Sequence, residues 1–387
     1  MKIGLLGMAL NSNNYGVTAL GISQLNVLEK IMKKNKITNV EYYVFSSEEQ
    51  NELDKCAKAL ALNNKLISKN LMTIKAGFTG IKSIKKAIKE CDYVIDLTYG
   101  DSFSDIYGKK IFYLYSVPKK ISNKYNKLII GPQTIGPYKS NIVSKYAKQI
   151  LKKAKIICVR DEKSLDIAKK LTKRNDIILT SDLAMELPYT KTELQGDKFK
   201  IGINISELLW NSSNEENKEK YGIVLDYKKL IENILNKFTN DKYEIHIITH
   251  VFSRDDSKGE YGLAKKIHSE FPNTILAPKF NNPIEAKNYM SGLDLFLGSR
   301  MHATIGAFSS GVPIIPISYS RKFEGLYGSI KYNYGINLRD TTIEKGLEHI
   351  DYCINNYEKM KDDLKKSFEE ALNRNKTYYE LLERIIK

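Results

Sequence analysis

Arg300 and His302 stand two positions apart in Ser299-Arg-Met-His-Ala, directly after the apolar run Leu295-Phe-Leu-Gly. A guanidinium grips a carboxylate or phosphate through a planar fork of donors, and an imidazole exchanges protons near neutral pH. Small residues from about Ala303 onward read as a helix, with Gly311 placed to end it and Val312-Pro313 opening the next strand. An anion at this strand-to-helix turn would meet the arginine, the histidine and the amides of a helix N-terminus together. A lone histidine is readily explained as a core residue bonded to a carbonyl. The neighbouring arginine, one of only eight in the chain, tips the reading toward function.

Arg160 repeats the arrangement, because Ile156-Ile-Cys-Val-Arg-Asp is a buried strand ending on an arginine, with Asp161 as a helix N-cap. A structural ion pair accounts for Arg160 equally well. Ile129-Ile-Gly-Pro-Gln-Thr-Ile-Gly-Pro-Tyr carries two Gly-Pro pairs and is expected to be a shaped pocket loop, with Gln133 and Thr134 as polar contacts. Asp96-Leu-Thr-Tyr-Gly-Asp-Ser-Phe-Ser-Asp follows another strand and offers Asp101 and Asp105 to bind hydroxyls or act as a base. Turn and capping roles explain both carboxylates as well. The Asn11–Gly16 loop is a third segment of this kind. None of the glycines forms a GxGxxG fingerprint or a P-loop, and the four cysteines show no metal spacing.

Positioning such residues requires elements that end together. Short apolar runs alternate with helical patterns along most of the 387 residues, the mark of parallel sheets with crossover helices. Strands are expected at Lys2–Leu6, Glu41–Phe45, Tyr93–Asp96, Lys127–Ile130, Lys155–Val159 and Ile177–Thr180, and again at Lys200–Asn204, Tyr243–Thr249, Thr274–Leu276, Leu293–Gly298 and Pro313–Ile317. From Asp182 to Lys198 the periodicity lapses, which marks an interdomain linker. Residues 1–190, joined by a returning C-terminal helix at 365–387, form one expected domain, and residues 198–360 the other. The fold class is therefore α/β, with two Rossmann-like doubly wound domains facing a cleft. In such sheets ligands bind beyond the carboxyl ends of the strands, where the polar segments above fall.

Composition narrows the function classes. Hydrophobic residues at 42% and charged residues at 27% are globular values. No apolar stretch reaches the roughly 18 residues of a membrane span, and the Ile3–Leu10 run is too short for a secretory signal. The cysteines read as core thiols of a reducing compartment, hence a cytoplasmic protein. The net charge of +16 comes mainly from lysines scattered over helices, with no nucleic-acid motif, so nucleic acid is not an expected partner. Attraction to anionic substrates or to an anionic membrane face is the functional reading of the surplus. Oligomeric state is not legible.

Taken in order, these segments resemble the polysaccharide pyruvyltransferase family. The likeness runs from the Asn-rich loop through Tyr99-Gly100-Asp101, Gly131-Pro-Gln-Thr-Ile-Gly-Pro and Val159-Arg-Asp-Glu-Lys-Ser to Ser299-Arg-Met-His-Ala and Gly311-Val-Pro, over roughly residues 3 to 325. One departure is that such families often carry two glycines where this chain has Tyr99-Gly100. The resemblance implies a GT-B-like fold, phosphoenolpyruvate as co-substrate, no cofactor and no metal. It implies donor binding by Arg160, Arg300, Lys322, Gln133 and Thr134. His302 would deliver a proton to the methylene carbon, and Asp101 or Asp105 would take one from the attacking hydroxyl. Asn14, Tyr99 and Gly100 fall to the acceptor, a glycan precursor either free or carried on a lipid diphosphate. A GT-B glycosyltransferase using a nucleotide sugar is the alternative with the same architecture.

Overall fold

The computed structural model describes residues 1–253 and 255–387. They group into two compact units, Met1–Ser12, Leu20–Leu183 and Ala371–Lys387 in the first, Asn13–Ala19 and Ala184–Glu370 in the second. The short segment Asn13–Ala19, expected with the first domain, thus clusters with the second unit.

The first unit holds a seven-stranded parallel sheet of β1 (Lys2–Leu6), β2 (Glu41–Phe45), β3 (Lys65–Ser68), β4 (Tyr93–Asp96), β5 (Leu128–Gln133), β6 (Ile156–Val159) and β7 (Ile178–Leu179). The strand order is β3-β2-β1-β4-β5-β6-β7. Its central strands are buried throughout, which is why they read as continuous apolar runs rather than alternating ones. The order reverses between β1 and β4, so a crevice opens beyond their carboxyl ends, at Gly7 and Thr98-Tyr99-Gly100. Edge strand β3 and the preceding helix Gln50–Ala59 escape the sequence pattern because each buries a single residue fully, Leu66 and Leu53.

The second unit repeats the plan with β8 (Phe199–Asn204), β9 (Tyr243–Ile247), β10 (Ile275–Leu276), β11 (Leu295–Gly298), β12 (Ile314–Ser318) and β13 (Ile336–Asn337). These six strands lie parallel in the order β10-β9-β8-β11-β12-β13, and the reversal falls between β8 and β11. Asn204 and the Ser299-Arg300 turn sit at that point.

One expectation is overturned and two are refined. The Gly-Pro-Gln segment is not a free loop, because β5 runs on through Gln133 by means of a register shift between Ile130 and Gln133. The stretch from Asp182 to Lys198, where the chain passes from the first unit to the second, is packed rather than loose. Leu183, Met185 and Leu187 are buried, the Lys287 ammonium donates to the Leu187 carbonyl at 2.8 Å, and the Thr190 amide donates to Asn288 at 2.7 Å. Its periodicity lapses because side-chain partners rather than a ladder hold it. The helix after β11 begins at Met301 rather than Ala303, which puts His302 in its first turn. At the C-terminus a 30-residue helix, Tyr357–Ile386, passes into the first unit, where Tyr378 donates to Gln24 at 2.7 Å and Asn375 accepts from the Ser181 amide at 2.9 Å.

Candidate active site

In the second unit Asn204 ends β8 and reaches across the reversal. Its side-chain oxygen accepts the Arg300 amide at 3.1 Å, and its amide group donates to the Ile248 carbonyl at 3.0 Å. Glu260, buried near the start of helix Gly259–Glu270, accepts the Nε–H of Arg300 on one oxygen. Its other oxygen accepts the backbone amides of His250 and Val251 at 3.2 and 3.1 Å. Burial works against the Arg300 charge, but the Glu260 carboxylate, with smaller contributions from Tyr319 and Tyr227, offsets it and the pKa is raised. The arginine charge is felt by Tyr319, where it works against the rise that burial gives the phenol, and the arginine side chain stays 24% exposed. The fork is thus aimed by Glu260 while part of it faces outward. Lys322 lies half-buried in the first turn of helix Arg321–Ser329, which follows the neighbouring strand β12.

His302 is half-buried and packs against Gly16. A Cβ on Gly16 would lie 2.3 Å from Nδ1 of the imidazole, so only glycine allows the contact. The segment carrying Gly16 is pinned by main-chain bonds. Asn14 bridges Val251, the Tyr15 amide donates to His250 at 3.1 Å, and the Phe252 amide donates to Asn13 at 2.8 Å. The Tyr15 hydroxyl donates to the Phe280 carbonyl, and its ring lies 4.7 Å from that of Phe252. Asn14 accepts the Gly16 amide at 3.0 Å, so this residue shapes the turn that brings Gly16 onto His302.

His250, which the sequence reading passed over, completes the group. It is 3% exposed and edge-on to Tyr15 at 5.7 Å, and neither ring nitrogen has a hydrogen-bond partner among the described residues. Burial, then the charges of His302 and Arg300, push its pKa down to about 3, so it is neutral at physiological pH. Glu260, Asn204 and His250 share one signal that could have found them: each is polar at or just beyond the carboxyl end of an apolar strand, or at the start of the helix that follows.

The first unit is organised around Asp96, the last residue of β4. Its buried carboxylate meets Lys119 at 3.0 Å, Thr98 at 2.6 Å and the Gln133 amide at 2.9 Å. Burial lowers the pKa of Lys119 against the pull of Asp96. Gln133 therefore faces the protein interior, fully buried, and is not positioned as a donor contact. Thr134 donates to Asp161 at 3.2 Å and accepts from Arg160 Nε at 2.9 Å, so its hydroxyl is also engaged internally. Arg160 is 4% exposed, with Nη1 at 2.6 Å from the buried Asp182. The structural ion pair is what the geometry displays. Asp161 caps helix Glu162–Thr172 as expected, accepting the Ser164 amide at 2.7 Å.

Asp105 accepts the amides of Lys139 and Ser140, each at 2.8 Å, and is nearly buried. Both oxygens hold a loop, the turn and capping role that the sequence also allowed for it. Asp101 is half-buried and accepts the Tyr107 hydroxyl at 3.0 Å. Tyr99 and Gly100 sit at the reversal of the sheet. Tyr99 has a left-handed backbone (φ 52°) and stacks edge-on against Tyr115 at 5.0 Å. Such a backbone favours glycine, so the tyrosine here sits in a strained conformation. Gly7, also left-handed, has the Thr98 backbone so close that a Cβ would lie 2.4 Å from it.

Two doubly wound α/β units, each with its polar loops where the strand order reverses, define a GT-B-type fold. Solved structures of this fold superpose over nearly the whole chain. UDP-GlcNAc 2-epimerase from Neisseria meningitidis, bound to UDP-GlcNAc, is 12% identical with a TM-score of 0.59, over 97% of this chain and 100% of that one. S. aureus MnaA with UDP is 12% identical with a TM-score of 0.60, over 98% and 97%. Arabidopsis thaliana UGT89C1 with UDP-L-rhamnose is 10% identical with a TM-score of 0.56, over 99% and 98%. No curated protein sequence matches the chain. The chain belongs to the polysaccharide pyruvyl transferase family, whose model matches residues 14–321. Among the described residues, no helix is long and apolar enough to cross a membrane.

Proposed function

We propose that the protein transfers the pyruvyl group of phosphoenolpyruvate onto two hydroxyls of a sugar in a glycan precursor, forming a cyclic ketal and releasing phosphate. The observation that carries this reading is the Arg300–His302 turn at the strand-order reversal of the second unit. There a guanidinium aimed by Glu260 and an imidazole packed on Gly16 share one helix start. Phosphoenolpyruvate brings a carboxylate and a phosphate. Arg300 takes one of them, and Lys322 and the helix N-terminus supply further positive potential. Arg160 is left out of the clamp, since its guanidinium is buried against Asp182.

His302 delivers a proton to the methylene carbon, C2 becomes electrophilic, and the first sugar hydroxyl adds to it, losing its proton to a base. The second hydroxyl then bonds to C2 as the C2–O bond to phosphate breaks, its proton leaving with the phosphate. Neutral His250 beside His302 adds no competing charge. Asp101 remains the carboxylate proposed as the base, and Tyr99, Gly100 and Asn14 stay with the acceptor proposal, Asn14 acting through the Gly16 turn. The scheme uses no cofactor, and its donor is an intracellular metabolite, which puts the reaction in the cytoplasm.

The test is to incubate the purified chain with glycan acceptors and either phosphoenolpyruvate or sugar nucleotides. Phosphate release with an acceptor mass gain matching a pyruvate ketal is the expected result, and it is lost in His302→Ala. Nucleotide release alone would replace this reading with the glycosyltransferase.

A further inference from the structure

Two helix tips of the first unit carry large apolar side chains into solvent. Phe78, the first residue of helix Phe78–Glu90, is 83% exposed, and Ile81 is 36% exposed one turn on. Ile106, Tyr107 and Ile111 are 41%, 53% and 37% exposed around the start of helix Lys109–Lys124. The two helices pack against each other. Each follows a strand of one parallel sheet, β3 or β4, so both tips sit at the sheet's carboxyl end, the end that carries Tyr99 and Gly100.

Lysines surround these side chains. Lys75, Lys82, Lys85, Lys109 and Lys110 are all exposed, and none forms an ion pair among the described residues. The acidic groups nearest in sequence are held within the protein: Asp105 accepts the Lys139 and Ser140 amides, Asp101 accepts the Tyr107 hydroxyl, and Glu90, at the far end of its helix, meets Lys2 and Tyr43. The tip of the first helix is also buttressed by the turn Leu71–Ala76, which packs along it.

We infer that this face is a membrane-docking surface for an anionic bilayer. Apolar side chains ringed by unpaired lysines fit a headgroup layer, where the rings and branched chains enter the interface and the ammonium groups meet lipid phosphates. A protein partner fits less well, because protein interfaces are depleted in lysine. The inference rests on the surface alone and not on the transfer reaction, and it sets the acceptor side of the first unit toward the lipid.

Sedimentation of the full chain with phosphatidylcholine vesicles, with and without 30% phosphatidylglycerol, tests it in the absence of any substrate. Binding to the anionic vesicles only is expected. Phe78→Ser with Ile81→Ser lowers the partition coefficient roughly tenfold, and each of Lys82→Gln, Lys85→Gln and Lys110→Gln lowers it by roughly fivefold. Lys82→Arg with Lys85→Arg retains binding, and the pair Lys33→Gln with Lys36→Gln, distant at the amino end of the same sheet, leaves it unchanged. No binding to anionic vesicles, equal binding to neutral ones, or equal loss in the distant pair each overturns the inference. Thermal melting of each variant checks that these exposed substitutions leave the fold intact.

Discussion

Arg160 and Arg300 each end a buried strand, yet their surroundings give them different work. Arg160 is closed in by Asp182 and Thr134, whereas Arg300 is aimed by Glu260 with part of its fork outside. Arg160→Ala strands a buried carboxylate and is expected to cost about 3–5 kcal/mol in urea unfolding. Arg300→Ala also leaves a buried carboxylate, Glu260, without its cation, but two backbone amides still hold that group, so a smaller stability loss is expected, together with a KM for phosphoenolpyruvate raised by about tenfold or more. Gly16→Ala should lower kcat far more than it lowers Tm, because the added methyl lies where the His302 ring now packs. Steady-state phosphate release beside a melting curve separates the two effects. His250 makes a pH prediction. Its folded pKa is about 3 against an ordinary 6.5, so between those values the unfolded chain binds the extra proton. The stability tied to its neutral form is complete above the unfolded value and declines as pH falls through the window. His250→Phe should therefore lose about 2 kcal/mol less than the parent between pH 6.5 and 5, read by urea unfolding at each pH.

At the scale of elements, the loops beyond the strands divide into those that hold structure and those that present chemistry. Asp105 ties down Lys139 and Ser140, so Asp105→Ala should cost about 1–3 kcal/mol per orphaned amide while leaving turnover per folded molecule close to the parent. A loss of turnover with unchanged stability would return Asp105 to the role of base. The buried set Asp96, Lys119, Thr98 and Gln133 supports the Tyr99–Gly100 turn from beneath in the same way. Polar residues after strands were legible as a group, since apolar runs ending in Asp, Arg or Gly-Pro stand out. Their direction was not legible. Gln133 turns inward because β5 continues through it, and a single register shift decides which face a side chain takes. Asn204 and Glu260 turn toward Arg300 for reasons that lie on separate strands and helices.

Across the whole molecule the surplus of positive charge matters for encounter with anionic partners. KM for phosphoenolpyruvate should rise severalfold between about 50 and 500 mM salt with little change in kcat, because salt screens long-range attraction more than contact bonds. A flat KM would place the charge surplus elsewhere, on the lysine-rich docking face. Local sequence determined the two parallel-sheet units, the main strands to within a few residues, the Asp161 cap and the Arg300–His302 turn. These follow from apolar runs, capping residues and glycine, whose effects act over a few neighbouring positions. Only the tertiary structure decided that Asn13–Ala19 belongs with the second unit, that Gly16 lies on His302, that Glu260 aims Arg300 and that Asp182 occupies Arg160. Each of these joins residues 22 to more than 280 positions apart, and such pairings are set by which strands lie side by side and how their ends converge. No local preference along the chain encodes that convergence.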